Sequence, residues 1–273
     1  MAIMSRLVPT AFSAFALQAA FAAIFVPQHN EKFYDLCGAA GFITSTLVSL
    51  RLNRTQPNPL VLAPRQLLLT AAITIWSARL GSFLATRALK AGGDPRFDKI
   101  KHEKGTFTAI WMLQAAWVFV IGLPVYITNA LPAAAHPPLG PRDFVALALL
   151  TSSFVLEVTA DRQKSNWRAE KNQKKHDENF ITRGLWGLSR HPNYVGEVGI
   201  WTSMWGLASA SGALPWPAVL AAAASPVGTY LLIRYVSGVP PLERSGDKKF
   251  GDDPKWAEYK RTVPVFFPWG GYE

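Results

Sequence analysis

Residues 107–127 read FTAIWMLQAAWVFVIGLPVYI, a stretch of 21 residues in which no side chain is charged. An α-helix rises about 1.5 Å per residue, so a stretch of this length can cross the hydrocarbon core of a bilayer, which is about 30 Å thick. A chain of 273 residues is too short to bury seven such helices in one soluble core. We therefore predict an all-α, polytopic membrane bundle of about seven transmembrane helices. The six other predominantly apolar stretches are residues 7–27, 35–52, 62–84, 144–160, 194–210 and 215–235.

The composition agrees with a bilayer environment. Hydrophobic residues make up 49% of the chain and charged residues only 17%, with a mean hydropathy of +0.12, whereas soluble domains carry about 25% charged residues. A chain this apolar is not disordered. The formal net charge of +10 would suit a nucleic-acid surface, but most of the cations lie in the connections between apolar stretches, so we expect no nucleic-acid partner. The single cysteine, Cys37, excludes an internal disulfide.

The Lys and Arg side chains predict the orientation of the helices, because cytoplasmic connections carry an excess of them. With the N-terminus lumenal or outside, the cytosolic segments are residues 28–34, 85–106, 161–193 and 236–273, which hold 1, 6, 8 and 6 basic residues. The count predicts a cytosolic C-terminus and a binding site on the cytosolic face. A cleaved signal peptide is the alternative interpretation of the first stretch, residues 7–27. That stretch is longer than the apolar region of most signal peptides. The opposite side holds Arg6, Arg51, Arg54, Arg65 and Arg142.

The fifth helix carries a polar face at its cytosolic end. Its members recur at spacings of four, three and four residues, which places them on one side of a helix. An acid at membrane depth normally faces a partner or a wet cavity, so Glu157 and Asp161 are expected to point into the bundle. A ladder of neighbouring charges that only stabilises the helix end is the alternative, and the spacing leaves both open. The four residues are Glu157, Asp161, Lys164 and Arg168.

Residues 184–197 read GLWGLSRHPNYVGE. Proline suits the first turn of a helix, so Pro192 predicts that the sixth helix begins within a residue or two of His191. Backbone amides at that point, with Arg190 beside them, form a candidate anion site. One face of this helix carries Tyr194, Glu197, Trp201 and Trp205. Small residues, which let a neighbouring helix approach closely, form another face with Gly196, Gly199, Ser203 and Gly206.

Several kinds of site are excluded by the sequence pattern. No His or Cys stands at zinc-like spacing from His191, so no metal site is expected. The chain has neither a dinucleotide-binding glycine fingerprint after a strand nor a phosphate-binding P-loop. It also lacks the Gly-x-Ser-x-Gly turn of serine hydrolases.

The block Ser189-Arg190-His191-Pro192-Asn193-Tyr194, followed by Gly196-Glu197, resembles the signature of the steroid 5-alpha-reductase-like membrane proteins, in particular the DUF1295 branch. Sterol reductases share this block, and isoprenylcysteine and phospholipid methyltransferases share a looser form of it. The likeness covers about residues 60–268. Its other pieces are Trp76 with Arg79-Leu80, Gly93-Asp94 with Arg96, Trp111 with Gln114, Pro124, Ala160-Asp161 with Gln163-Lys164, Gly238-Val239-Pro240 with Glu243, and Tyr259.

The resemblance implies a reductase that takes NADPH from the cytosolic side and reduces a carbon–carbon double bond conjugated to a carbonyl in a lipid or sterol-like substrate. It divides the chain into residues 1–160, with transmembrane helices 1–5 and a lipid-substrate region in helices 1–4, and residues 161–273, with the cofactor site. Glu243 joins that site by its similarity to an acidic tail motif of the methyltransferases. The cofactor-binding residues so assigned are Asp161, Lys164, Arg168, Arg190, His191, Asn193, Tyr194 and Glu243.

Four residues are candidates for the chemistry. Tyr194 and Glu197 stand in the block itself, and Tyr194 could donate a hydrogen bond to a developing enolate. Arg79 and Gln114 are polar groups within apolar stretches that could polarise the substrate carbonyl. An S-adenosylmethionine-dependent methyltransferase and a non-enzymatic lipid-binding protein are the alternatives. We expect a multi-pass integral membrane protein, of the endoplasmic reticulum in a eukaryote, with the bilayer and a hydrophobic small molecule as partners and no obligatory protein partner.

Overall fold

The computed structural model describes residues 2–51 and 61–266, and within them every regular element is helical. The all-α class predicted from the sequence is confirmed. Arg54, which is counted among the basic residues, and Leu52, which ends the second apolar stretch, lie outside the described residues. The α-helices of the described part are α1 Ala2–Phe25, α2 Tyr34–Arg51, α3 Pro64–Ala91, α4 Lys104–Ile121, α5 Leu123–Asn129, α6 Pro141–Asn172, α7 Pro192–Ser209, α8 Trp216–Tyr235, α9 Val239–Phe250 and α10 Pro254–Thr262.

Each predicted stretch has a long helix, with two differences. Residues 107–127 form α4 and the short α5, which meet at Gly122 because Pro124 lacks a backbone N–H for a continuous helix. Helix α6 continues beyond residue 160 to Asn172, so the whole polar face from Glu157 to Arg168 lies on one helix.

Five helical runs in the described part are long and apolar enough to cross a bilayer. Helices α2 and α7 are not among them, so seven spans and their orientation stay predictions. Large apolar side chains exposed on the helices, such as Phe12, Leu113 and Val145, fit contact with lipid rather than water. The five runs are Ser5–Phe25, Pro64–Ala91, Lys104–Ile121, Pro141–Asn172 and Trp216–Phe250.

The first of two compact units contains Met1–Phe144 and Met204–Ser225. Its helices α1, α2 and α4 enclose an aromatic core, in which the rings of Phe25 and Trp111 stack at 5.9 Å. A buried ion pair also lies in this unit: Arg65 Nε and Nη2 donate to the two carboxylate oxygens of Asp143 at 2.9 and 2.8 Å. Arg65 is one of the basic residues that the count places on the side opposite the cytosolic segments. Its charge is buried and is neutralised by Asp143.

The second unit contains Val145–Ser203 and Pro226–Glu273. Helices α6 and α7 approach closely in it. A Cβ added at Gly196 would lie 2.8 Å from the backbone nitrogen of Glu157, and one at Gly199 would lie 2.3 Å from Ser153 Oγ. The close approach at these two glycines confirms that part of the small-residue face is a packing surface. The predicted division at residue 160 concerns substrate and cofactor regions and stays a prediction.

Candidate functional site

The polar face of α6 passes from buried acids to exposed cations. Glu157 is only 2% exposed and Asp161 only 7%, whereas Lys164 is half-buried and Arg168 is exposed. The burial of the two acids agrees with the expectation that they point into the bundle. The face thus combines interior carboxylates with cations that solutes can reach.

The turn that precedes α7 is fixed against α6 around Trp186. Trp186 Nε1 donates to the Ala160 carbonyl at 3.0 Å, and the Tyr259 hydroxyl donates to the Trp186 carbonyl at 2.7 Å. The Lys164 ammonium lies 4.1 Å from the centre of the Trp186 ring, within the range of a cation–π contact. These contacts hold the Lys164 side chain against the turn that carries the block.

Helix α7 begins at Pro192, as the sequence predicts. The residues just before it are tied to the segment after α10. The Arg190 amide donates to the Pro264 carbonyl at 2.9 Å, and Ser189 Oγ donates to the Val265 carbonyl at 3.0 Å. Both backbone and side chain of this turn are therefore held by a segment distant in sequence.

Three side chains, Arg190, His191 and Glu243, meet at the start of α7, and we call them the entrance cluster. Arg190 Nη1 donates to Glu243 Oε2 at 2.6 Å, and His191 Nε2 lies 2.8 Å from Glu243 Oε1. Glu243 projects from α9, whose first turn contains Pro240. Lys260 of α10 is a more distant neighbour, with Nζ at 3.9 Å from Glu243 Oε2. One carboxylate thus holds two side chains of the block.

The environment of His191 favours its neutral form. Burial lowers the pKa of this imidazole below its ordinary value of 6.5, and the positive charges of Lys164 and Arg190 act in the same direction, although the Glu243 carboxylate opposes them. A carboxylate accepts hydrogen bonds and donates none. The proton of neutral His191 is therefore on Nε2, where it is shared with Glu243.

The remaining residues of the block surround this cluster. The Tyr194 ring stacks on the His191 ring, with the centres 5.6 Å apart and an angle of 12° between the planes. Asn193, Tyr194 and Glu197 are half-buried along the first turns of α7. The structure therefore brings Tyr194 together with the entrance cluster.

Arg79 and Gln114 belong to the other compact unit. Gln114 Nε2 donates to the Tyr34 carbonyl at 2.9 Å, and its amide packs where Gly38 has no side chain. The Arg79 guanidinium lies 5.2 Å from the centre of the Phe83 ring. Their predicted role at a substrate carbonyl stays a prediction.

Two contributors were missed by the sequence reasoning. The sequence pattern assigns Ser189 no role beyond membership of the block, yet its Oγ accepts from the His191 amide at 3.2 Å and orients that residue. Lys260 gave no local signal, because an exposed helix of alternating charges is common. Within residues 2–51 and 61–266, no group of three or more His, Cys, Asp and Glu side chains could hold a metal ion.

Comparison with known proteins places the chain in a family. A family model described as "Protein of unknown function (DUF1295)" matches residues 21–263. The chain belongs to the DUF1295 family. Among proteins similar to this DUF1295 chain, an uncharacterized protein of Schizosaccharomyces pombe is 27% identical over 182 residues, which cover 57% of the chain and 52% of the relative.

A second similar protein is named as an enzyme. The Delta(14)-sterol reductase of Methylotuvimicrobium alcaliphilum is 28% identical to the DUF1295 chain over 185 residues, which cover 60% of the chain and 38% of the reductase. The chain therefore spans only about half, or less, of the length of these relatives. No solved structure matches it.

Proposed function

We propose that this DUF1295 protein is a membrane reductase that uses NADPH to reduce a carbon–carbon double bond conjugated to a carbonyl in a lipid or sterol-like substrate. Apolar helices fit an integral membrane protein, and in a eukaryotic cell we propose the endoplasmic reticulum as its location. The likeness to a protein named as a sterol reductase favours reduction. The observation that carries the proposal is the entrance cluster, a buried and anchored polar site beside the cations of α6.

The residues of the site fit the chemistry of NADPH. Its pyrophosphate and 2′-phosphate need several cationic donors. In the entrance cluster the charge of Arg190 is matched by Glu243 at 2.6 Å, so this arginine has less charge to offer a phosphate. We assign the phosphates first to Lys164 and Arg168, because their side chains are half-buried and exposed on α6 whereas Arg190 is buried. Arg190, His191 and Glu243 form the wall that orients the rest of the cofactor.

The chain would orient the substrate and stabilise charge. NADPH, when bound, would supply a hydride to the β-carbon of the conjugated double bond. The Tyr194 hydroxyl is the proposed donor to the carbonyl oxygen, and its ring is held in place by stacking on His191. Loss of one such donor lowers kcat about 100- to 1,000-fold in enzymes that stabilise an oxyanion. Glu197 follows on the next turn of α7.

Cofactor binding is the first test. Purified protein in detergent is titrated with NADPH, and binding is followed by cofactor fluorescence. Lys164→Ala and Arg168→Ala should each weaken binding by about 10- to 150-fold, because a hydrogen bond to a charged group contributes about 1.5 to 3 kcal/mol. Lys175→Ala is the matched control, since Lys175 is exposed in the same connection and should bind NADPH as wild type does.

The same preparation separates the alternatives. Binding of S-adenosylmethionine without NADPH would replace the reductase with a methyltransferase. Binding of neither cofactor would indicate a lipid-binding protein without catalysis.

The substrate class requires a second measurement. Lipid extracts from cells with and without the gene are compared by mass spectrometry. We expect pairs of lipids that differ by two hydrogens, with the unsaturated member enriched when the gene is deleted. Pairs that differ by a methyl group would contradict the proposal.

A further inference from the structure

The second ring nitrogen of His191 has no role in the contacts described above. His191 is 4% exposed, and its Nδ1 atom is buried without a hydrogen-bond partner among the described residues. Buried polar atoms are nearly always hydrogen-bonded, so an unfilled one needs an explanation. Its neighbours do not supply it, because Glu243 contacts Nε2 and Ser189 Oγ contacts the backbone amide.

The hydrogen-bond geometry decides what Nδ1 can do. Glu243 is held as a carboxylate by Arg190, so the hydrogen bond of 2.8 Å at His191 Nε2 requires the proton on that nitrogen. A second proton on Nδ1 would place an imidazolium beside Arg190 with no acceptor for its N–H. Nδ1 therefore carries a lone pair and accepts hydrogen bonds.

We propose that His191 Nδ1 accepts a hydrogen bond from an uncharged N–H donor of the bound cofactor, and that this donor is the carboxamide of the nicotinamide ring. This inference rests on the proposed use of NADPH. Phosphate oxygens are acceptors and cannot fill the position, so His191 does not belong with the phosphate-binding cations. The Tyr194 ring stacked on the imidazole fixes the plane in which the lone pair lies. Toward this carboxamide, Glu243 is a positioning residue, because it sets the tautomer of His191 and does not contact the carboxamide itself.

The first experiment tests the tautomer without any cofactor. Protein labelled with ¹⁵N-histidine is measured in detergent micelles at pH 7.5, and the His191 signals are assigned by their absence from His191→Gln. We expect a protonated Nε2 and an unprotonated Nδ1. A proton on Nδ1, in either the neutral or the charged form, would overturn the inference even if NADPH binds.

The second experiment compares NADPH with its reduced 3-acetylpyridine analogue, in which a methyl ketone replaces the carboxamide and the pyridine ring carries no N–H donor. Wild type should bind the analogue about 2- to 12-fold more weakly, the range for one neutral hydrogen bond. In His191→Gln the side-chain amide can still donate to Glu243, but nothing replaces Nδ1. This variant should bind both compounds with equal, weakened affinity.

Two further results would overturn the inference. One is equal affinity of wild type for the two compounds. This measurement uses no variant, so it would overturn the inference even if His191→Gln does not fold. The other is a preference for NADPH that persists in a folded His191→Gln protein. Failure of both compounds to bind wild type would instead refute the proposed function, so the two failures are distinguishable.

Discussion

Two regions of the described structure bury an arginine beside a carboxylate. They differ in whether a buried hydrogen-bonding atom is left without a partner. In the Arg65–Asp143 pair, Asp143 receives two side-chain hydrogen bonds from Arg65 and a third from the Gly140 amide at 2.9 Å. The remaining guanidinium nitrogen of Arg65 donates to the Pro137 carbonyl at 3.3 Å. In the entrance cluster, His191 Nδ1 remains without a partner among the described residues.

This difference indicates that the Arg65–Asp143 pair is a structural ion pair, whereas the entrance cluster can bind a ligand. A buried polar group that is fully paired can only hold elements together, because it has no bonding capacity to offer. An anchored cluster with one unfilled acceptor is pre-oriented for a donor from outside. The comparison therefore predicts that changes in the Arg65–Asp143 pair affect stability alone, whereas changes in the entrance cluster affect stability and binding.

The largest effect is expected from Asp143→Ala. Arg65 is 1% exposed, so removal of the carboxylate leaves a buried cation without its counter-ion, which costs about 3 to 5 kcal/mol. The free energy of unfolding in detergent should fall by that amount. NADPH affinity of the folded fraction should not change.

The control removes both charges together. Replacement of a buried ion pair by apolar residues of similar volume is often neutral or stabilising, so Arg65→Met combined with Asp143→Leu should recover most of the lost stability. If the double variant is as unstable as Asp143→Ala, the hydrogen bonds to Pro137 and Gly140, rather than the charge pairing, hold this region.

A smaller loss is expected from Glu243→Gln. The glutamine keeps an acceptor for His191 but removes the carboxylate charge that Arg190 faces at 2.6 Å, and loss of a hydrogen bond to a charged group costs about 1.5 to 3 kcal/mol. Unfolding free energy and NADPH affinity should both decrease. Glu258→Gln, which removes the same charge from an exposed position on α10, should change stability by less than about 0.5 kcal/mol. Equal effects of the two substitutions would refute the special position of Glu243.

The sequence predicted those features that depend on residues close together in the chain. Pro192 located the start of α7, and Gly196 and Gly199 located its surface for close contact with a neighbouring helix, because such signals act within a few residues. The structure identifies that neighbour as α6. The sequence did not predict the carboxylates that pair with Arg65 and Arg190. Asp143 lies 78 residues from Arg65, and Glu243 lies 52 residues from His191, so their pairing depends on how whole helices pack. The break at Gly122 was missed because residues 107–127 carry no charged side chain, and hydropathy does not record a helix break.

The dependence of stability on pH is expected to be modest, with a contribution from His191 of the entrance cluster. The pKa of folded His191 is lowered below the ordinary value of 6.5, so the unfolded chain binds the proton more readily. Stability is therefore fully present above about pH 6.5 and falls as the pH decreases below it, by at most about 1.4 kcal/mol per unit for one group. Unfolding free energies at pH 7.5 and 5.5 measure the loss.

The matched comparison is His191→Gln, which removes the titrating group while retaining a donor to Glu243. Its stability should decrease less between the two pH values than that of wild type. An identical decrease in both proteins would assign the dependence to other groups, such as His136, whose pKa burial also lowers.

The smallest effect defines where the entrance cluster ends. Lys260 Nζ is 3.9 Å from Glu243 but 2.9 Å from Asp247, and its side chain is 31% exposed. Ion pairs of this exposure contribute about 0.2 to 1 kcal/mol, so Lys260→Met should reduce the unfolding free energy by less than about 1 kcal/mol and leave NADPH affinity unchanged. A loss as large as that of Glu243→Gln would mean that Glu243 needs two cations, Lys260 as well as Arg190. The cluster would then extend to α10, and the carboxylate that positions His191 would depend on a charge that solvent can screen.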